Sequence, residues 1–280
     1  MVEQPISASG AVVFWTVSET DRDKLITHLG SLGLLSYMPK ERTKVSALNA
    51  ALTGYCQAQA KLDPEHEYRV QPLKQQSKHG LEVVQITPGE ERNSYYPQFA
   101  VGWDDQGNLK LVHGYESLTD IRELYRAASN VLPGQSVGQA LVRILRDHFQ
   151  GTPLRPSGSV YWLPEDALED WGHLAAAVQE CSVKDPGNAI YRLRTVFDLE
   201  AVRAVRDAVS HEVDAAARKL AEEMDSGELG EEALSARKRH AQGLRERVSM
   251  YEGILGETLE QLRQAISDAE EAVCLASLSI

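Results

Sequence analysis

Cysteine is scarce and scattered in this chain of 280 residues. Cys56, Cys181 and Cys274 are an odd count, far apart, with no Cys-x-x-Cys pair. That excludes a disulfide framework and a paired-cysteine zinc ribbon, so the expectation is a reduced, cytoplasmic protein with buried thiols. Long apolar runs are missing too: none approaches the roughly 20 residues that span a bilayer, so no membrane association is expected. The segment Met1 to Ser9 lacks the basic start and apolar centre of a secretory signal.

The usual catalytic signatures are absent as well. Without Gly-x-x-x-x-Gly-Lys-Ser/Thr there is no backbone cradle and lysine for nucleotide phosphates. Pro133 to Gly138 carries glycines but not the dinucleotide-binding spacing. No Gly-x-Ser-x-Gly elbow lifts a nucleophile above a sheet. No His-Glu-x-x-His or other zinc-ligand set occurs, so no metal and no cofactor are expected. Basic residues are in deficit, with 29 Lys and Arg against 41 Asp and Glu, a formal net charge of −12. Such a surface repels phosphate backbones at long range and argues against a general nucleic-acid binder.

What is present is a mixture of strand and helix patterns. Ala11 to Val17 is a continuous β-branched and aromatic run that reads as a buried strand. A helix follows, with Ser18 as its expected N-cap and Gly30 near its end. A second helix is expected after Thr43, burying Val45, Leu48, Leu52 and Tyr55. Four strands come next, Tyr68–Leu73, Leu81–Thr87, Tyr96–Trp103 and Leu109–His113, separated by turn-forming residues, and predict an antiparallel meander. Of two further helices, the second carries Ser136 and Gln139 at capping-box spacing. Proline and glycine over 151–158 mark a linker. Beyond it, Val160–Trp162, a helix over Glu165–Cys181 and a strand over Ala189–Phe197 form a strand–helix–strand element. Trp15, Trp162 and Trp171 are expected in the core.

From Asp198 the apolar residues keep a coiled-coil rhythm: Val202, Val205, Val209, Val213, Ala216, Leu220, Met224, then Leu234, Ala241, Leu244, Val248, Tyr251, Leu255, Leu259 and onward to Val273. Two such stripes either side of Asp225-Ser226-Gly227 predict a helical hairpin whose seams zip antiparallel. The second stretch is the longer, roughly 70 Å against roughly 42 Å if each is one helix. Two successive steps of four at Tyr251, Leu255 and Leu259, flanked by Gly253 and Gly256, are where it is expected to leave its partner. Leu262, Ile266, Ala269 and Val273 would then be buried in the body or in another copy, the alternative being one uninterrupted coiled coil to a second subunit. The expected fold is therefore α+β: a body with a β-meander over 1–150, the strand–helix–strand element over 151–197, and a coiled-coil arm over 198–280.

Candidate binding residues follow from that arrangement. Arg218 and Lys219 fall opposite Arg237, Lys238 and Arg239, with His240, Arg245 and Arg247 on adjoining turns. This is a basic band suited to an acidic protein partner or to nucleic acid, or simply a surface whose charges pair along the helices. Arg192 and Arg194 alternate with Tyr191 and Leu193 on a strand and offer a second phosphate-facing surface. Phe99, Val101 and Trp103 on one strand face stack bases if exposed, and form core if not. Asp63, Glu65, His66 and Glu67, and Asp104 with Asp105, read as connector and turn chemistry. No catalytic residue is assigned, although His66, His79, His113 and Asp104 would serve an enzyme if folding gathered them. The leading expectation is a non-catalytic interaction or assembly protein using the arm for a protein partner or for self-association. A nucleic-acid accessory protein and an enzyme are the alternatives.

Overall fold

The computed structural model describes residues 9–73, 80–88, 93–154, 160–196, 199–225, 231–255 and 259–277. The chain begins with β1 (Ser9–Thr16), β2 (Thr20–Asp21), α1 (Arg22–Ser31) and α2 (Lys44–Leu62). The strands β3 (Glu67–Pro72), β4 (Gly80–Thr87), β5 (Ser94–Trp103) and β6 (Leu109–His113) follow. Then come α3 (Leu118–Ser129), β7 (Val131–Leu132) and α4 (Gly134–Arg143), which continues as a π-helical turn over Ile144–His148. The last part holds β8 (Thr152–Pro153), β9 (Val160–Pro164), α5 (Leu168–Glu180), β10 (Ala189–Val196) and the helices α6 (Leu199–Asp225), α7 (Glu231–Leu255) and α8 (Glu260–Ser277). These elements gather into two compact units, neither continuous in sequence: 17–139 with 180–188, and the remainder.

In the first of these units β3, β4, β5 and β6 form the expected antiparallel meander. Alternation puts Val83, Phe99 and Val101 on the face that packs against Leu48, Leu52 and Cys56 of α2 and Ile121 of α3. Phe99 and Val101 are fully buried, so that strand face is core and is closed to bases. Helix α2 starts after Thr43 as expected, and Thr43 caps it, its hydroxyl accepting from the Ser46 amide at 3.2 Å. Val45, one turn ahead of the core residues, is exposed instead of buried. The cap of α1 is Asp21 and not Ser18: the Asp21 carboxylate accepts from the Lys24 amide at 2.9 Å, while the Ser18 amide donates to Asn188 at 2.8 Å. Likewise Ser136 lies inside α4 and is not its cap, because the Pro133 carbonyl already accepts from the Ser136 and Val137 amides. The helix can begin that early because Gly134 sits against the Val17 carbonyl, where a Cβ would come within 2.4 Å.

The other unit is built on a four-stranded sheet in the order β10-β1-β9-β8, with every neighbouring pair antiparallel. The strand–helix–strand element β9–α5–β10 is present, but β1 from the chain start is inserted between its two strands. Side chains alternate across this sheet. On one face Trp15 stacks on Tyr161, with ring centroids 5.3 Å apart, and meets Trp171 of α5. On the other face Trp162 enters one core with Val205, Val209 and Val213 of α6 and with Leu244, Val248 and Tyr251 of α7. The three tryptophans are buried, as expected.

The carboxyl-terminal helices are three where two were expected. Helix α7 ends at Leu255, and α8 begins at Glu260 and packs against both α6 and α7. Passing from Arg245 to Glu252 on α7 passes from Glu270 to Arg263 on α8 in their ion pairs, so these helices run antiparallel. Ile266, Ala269 and Val273 of α8 are buried against the seams of α6 and α7, not in a separate body. The reason is geometric: α6 and α7 together present more apolar stripe than one seam consumes, and a third helix covers the remainder. The side chains of Val202, Met224, Leu255 and Leu262 lie outside the described residues. Of the thiols, Cys56 and Cys181 are buried, and burial pushes each up to about 11, but Cys274 is exposed, contrary to expectation.

Tyr251 joins the helices to the sheet. Its ring is fully buried beside Trp162, and its hydroxyl donates to the Gln150 carbonyl at 3.1 Å and shares a hydrogen bond with the buried Thr152 hydroxyl. Tyr251→Phe keeps the packing but leaves Thr152 without that partner. It should lower the unfolding free energy by about 1–3 kcal/mol in denaturant titration. Unchanged stability would show that the hydroxyl is not held as described.

Candidate binding cleft

The π-helical turn after α4 is forced by nothing local such as proline. It widens the helix at Ile144–His148, and inserted turns of this kind recur at functional sites. While Ile144 and Leu145 stay in the core, Arg146 is directed toward α6 and forms an ion pair with Glu212. The Glu212 side chain is only 8% exposed, against 43% for Arg146, so a carboxylate is held under cover by a guanidinium open to solvent. Tyr161 lies close by. Burial pushes its phenol up, with Arg146 opposing the shift and Glu212 adding to it.

Two adjoining clefts open here, one of about 570 Å³ and one of about 480 Å³. Both are lined by Arg146, Glu212, Ala216 and His240, so they form one channel between the π-turn and the α6–α7 pair. Lys219, Glu223 and Arg237 line the first section; Arg143, Asp147 and Arg239 line the second. Arg237 is held from α6 by Glu223 at 3.1 Å, and its Nε is buried with no partner among the described residues. Cations thus outnumber carboxylates in the channel, against the sign of the chain as a whole.

The basic band expected from the sequence is therefore only partly gathered. Lys219, Arg237 and Arg239 reach the channel with His240. Arg218 pairs along its own helix with Asp214 at 2.7 Å, and Arg245 pairs with Glu270 of α8. Lys238 is exposed, and the Arg247 side chain lies outside the described residues. Arg192 and Arg194 belong to the sheet: Arg192 donates to the Leu168 carbonyl at 2.8 Å, and Arg194 stands 3.6 Å from Glu165. The enzyme candidates have separate local partners: His66 with Asp63, His113 with Glu82, and Asp104 with the amides of its own turn. His79 lies outside the described residues. Among the described residues no three His, Cys, Asp or Glu side chains are grouped to hold a metal ion.

Sequence reasoning missed Arg143, Arg146 and Glu212. Arg146 and Glu212 lie 66 positions apart, and nothing in their spacing announces the pair.

Fold and site together define an α+β protein in which a helix bundle, seated on a split strand–helix–strand sheet, frames a cationic channel. Over residues 10–279 the chain matches the model of a family of unknown function (DUF6744), and it belongs to that family. No curated protein and no solved structure matches it.

The ion pair makes a stability forecast. Arg146→Met leaves the covered Glu212 carboxylate without this cation and should cost about 2 kcal/mol or more. Adding Glu212→Leu should restore most of the loss, because the buried charge goes with its partner. Chemical denaturation of the single and double variants checks both; a double variant worse than the single would contradict the pairing.

Proposed function

We propose that the chain is a non-catalytic interaction protein of the reducing cytoplasm that holds an acidic segment of a protein partner in the channel between the π-turn and α6–α7. The observation that carries this reading is the excess of guanidinium and ammonium groups lining a cleft on a chain of formal net charge −12. Such a reversal of sign concentrates a carboxylate-rich ligand locally while the remaining surface repels it. Burial also limits the alternatives for contact. Val205, Val209, Val213, Leu220, Leu244 and Val248 are spent within the chain, so the arm's seam is not on offer to a partner helix. On the arm, the charged exterior and the channel are what remain. No helix among the described residues is long and apolar enough to cross a membrane, which fits a partner met in solution.

The test uses a fluorescein-labelled peptide of about ten glutamates at low ionic strength, where electrostatic attraction is least screened. Anisotropy should rise on titration with the native chain. Lys219→Glu combined with Arg239→Glu should weaken binding at least about tenfold, with the thermal midpoint nearly unchanged, because both residues sit at the channel rim. Arg237 is left in place, since its guanidinium also braces α7 against α6. Absence of binding, or tighter retention of a single-stranded oligonucleotide than of the peptide, overturns the reading; the second result favours the nucleic-acid alternative.

A further inference from the structure

Coverage of the β10-β1-β9-β8 sheet is graded across its helix-bundle face. Trp162 on β9 is 1% exposed beneath α6 and α7, Val12 beside it on β1 is half-buried, and Leu193 beyond that on β10 is 57% exposed. One row along, Phe14 on β1 stacks on Tyr191 of β10 at 5.0 Å, and Tyr191 is 50% exposed. The helix layer thus stops short of β10. On the opposite face, β10 presents Arg192 and Arg194, the latter with a side chain 68% exposed. All four residues from Tyr191 to Arg194 are exposed, and among the described residues β10 has β1 on one side and no strand on the other.

Edge strands left in this state invite a further strand, and proteins ordinarily blunt them with charge on the accessible face. Here the charge is confined to one face, and the other is apolar. We infer that β10 is a docking edge for an extended partner segment in which apolar residues alternate with aspartate or glutamate. Backbone hydrogen bonds would extend the sheet by one strand. The apolar residues would lie over Tyr191 and Leu193, and the carboxylates would face Arg192 and Arg194. A second copy of the chain is the poorer occupant, because pairing β10 with itself brings these arginines together on one face.

This surface is separate from the acidic-segment channel, and the experiment keeps the two apart. The probes are fluorescein-labelled decapeptides of alternating valine and glutamate and of alternating valine and lysine. The native chain should bind the glutamate peptide at least about tenfold more tightly, with amide exchange slowed at Tyr191 to Arg194. Arg192→Glu with Arg194→Glu should invert the preference toward the lysine peptide, a gain that misfolding does not produce. Repeated in a Lys219→Glu, Arg239→Glu background, which removes the channel as a competing site for acidic peptides, the same charge preference, protection at β10 and inversion should persist. In that background no binding, no charge preference, or protection outside β10 would each overturn the inference. So would a concentration-dependent dimer abolished by Leu193→Glu, which would put a second copy on the edge.

Discussion

Burial of the α6 stripe is the constraint from which the helix-bearing unit follows. Val205, Val209 and Val213 are packed simultaneously against Trp162 of the sheet, against α7, and against Ile266 of α8. Each of these side chains gains about 1.5–3 kcal/mol from leaving water. No single partner surface is wide enough to cover the stripe. The sheet supplies one wall and the two later helices supply the others. Tyr251 adds direction to a contact that is otherwise non-directional, because its hydroxyl donates to the Gln150 carbonyl and meets the Thr152 hydroxyl.

The channel is a by-product of the same packing. Once α6 lies on the sheet, the segment that links α4 to β8 must pass beside it, and the π-turn there directs Arg146 at Glu212. A lone carboxylate at that depth would be costly, and the guanidinium makes it tolerable. Lys219 of α6 and Arg237 and Arg239 of α7 project at helical spacing beside the buried seam, so they line the channel. Function is thus proposed at the polar margin of a contact whose apolar centre is already occupied.

Much of the architecture was legible in the chain. The meander is marked by its punctuation, since Pro88-Gly89 and the Asp104–Asn108 stretch oppose continuing a strand and favour a reversal of the chain. The seams of α6 and α7 follow from period alone. The insertion of β1 between β9 and β10 was not legible, because strand pairing across more than a hundred residues leaves no local trace. The third helix was half visible: the paired steps of four and the glycines mark the break before α8, but only packing shows that α8 returns to the seam it left. At the site, Lys219, Arg237 and Arg239 were found because helix spacing places them together. Arg146 and Glu212 were not, since a charged residue in an amphipathic helix looks like solvated surface until tertiary structure covers its partner. Ser18 and Ser136 failed as caps for a related reason: α1 starts after Asp21, whose carboxylate takes a first-turn amide, and α4 starts before Ser136, whose own amide is already bound by the Pro133 carbonyl.

The return of α8 is best tested by a distance. Spin labels replacing Arg245 and Glu270, in a background with Cys274 changed to serine, report whether the two helices lie side by side. Packed neighbours have axes about 8–10 Å apart, so label separations on the order of 10–20 Å are expected. A continuous helix from α7 into α8 would instead separate these positions by roughly 37 Å, and that result would contradict the three-helix account.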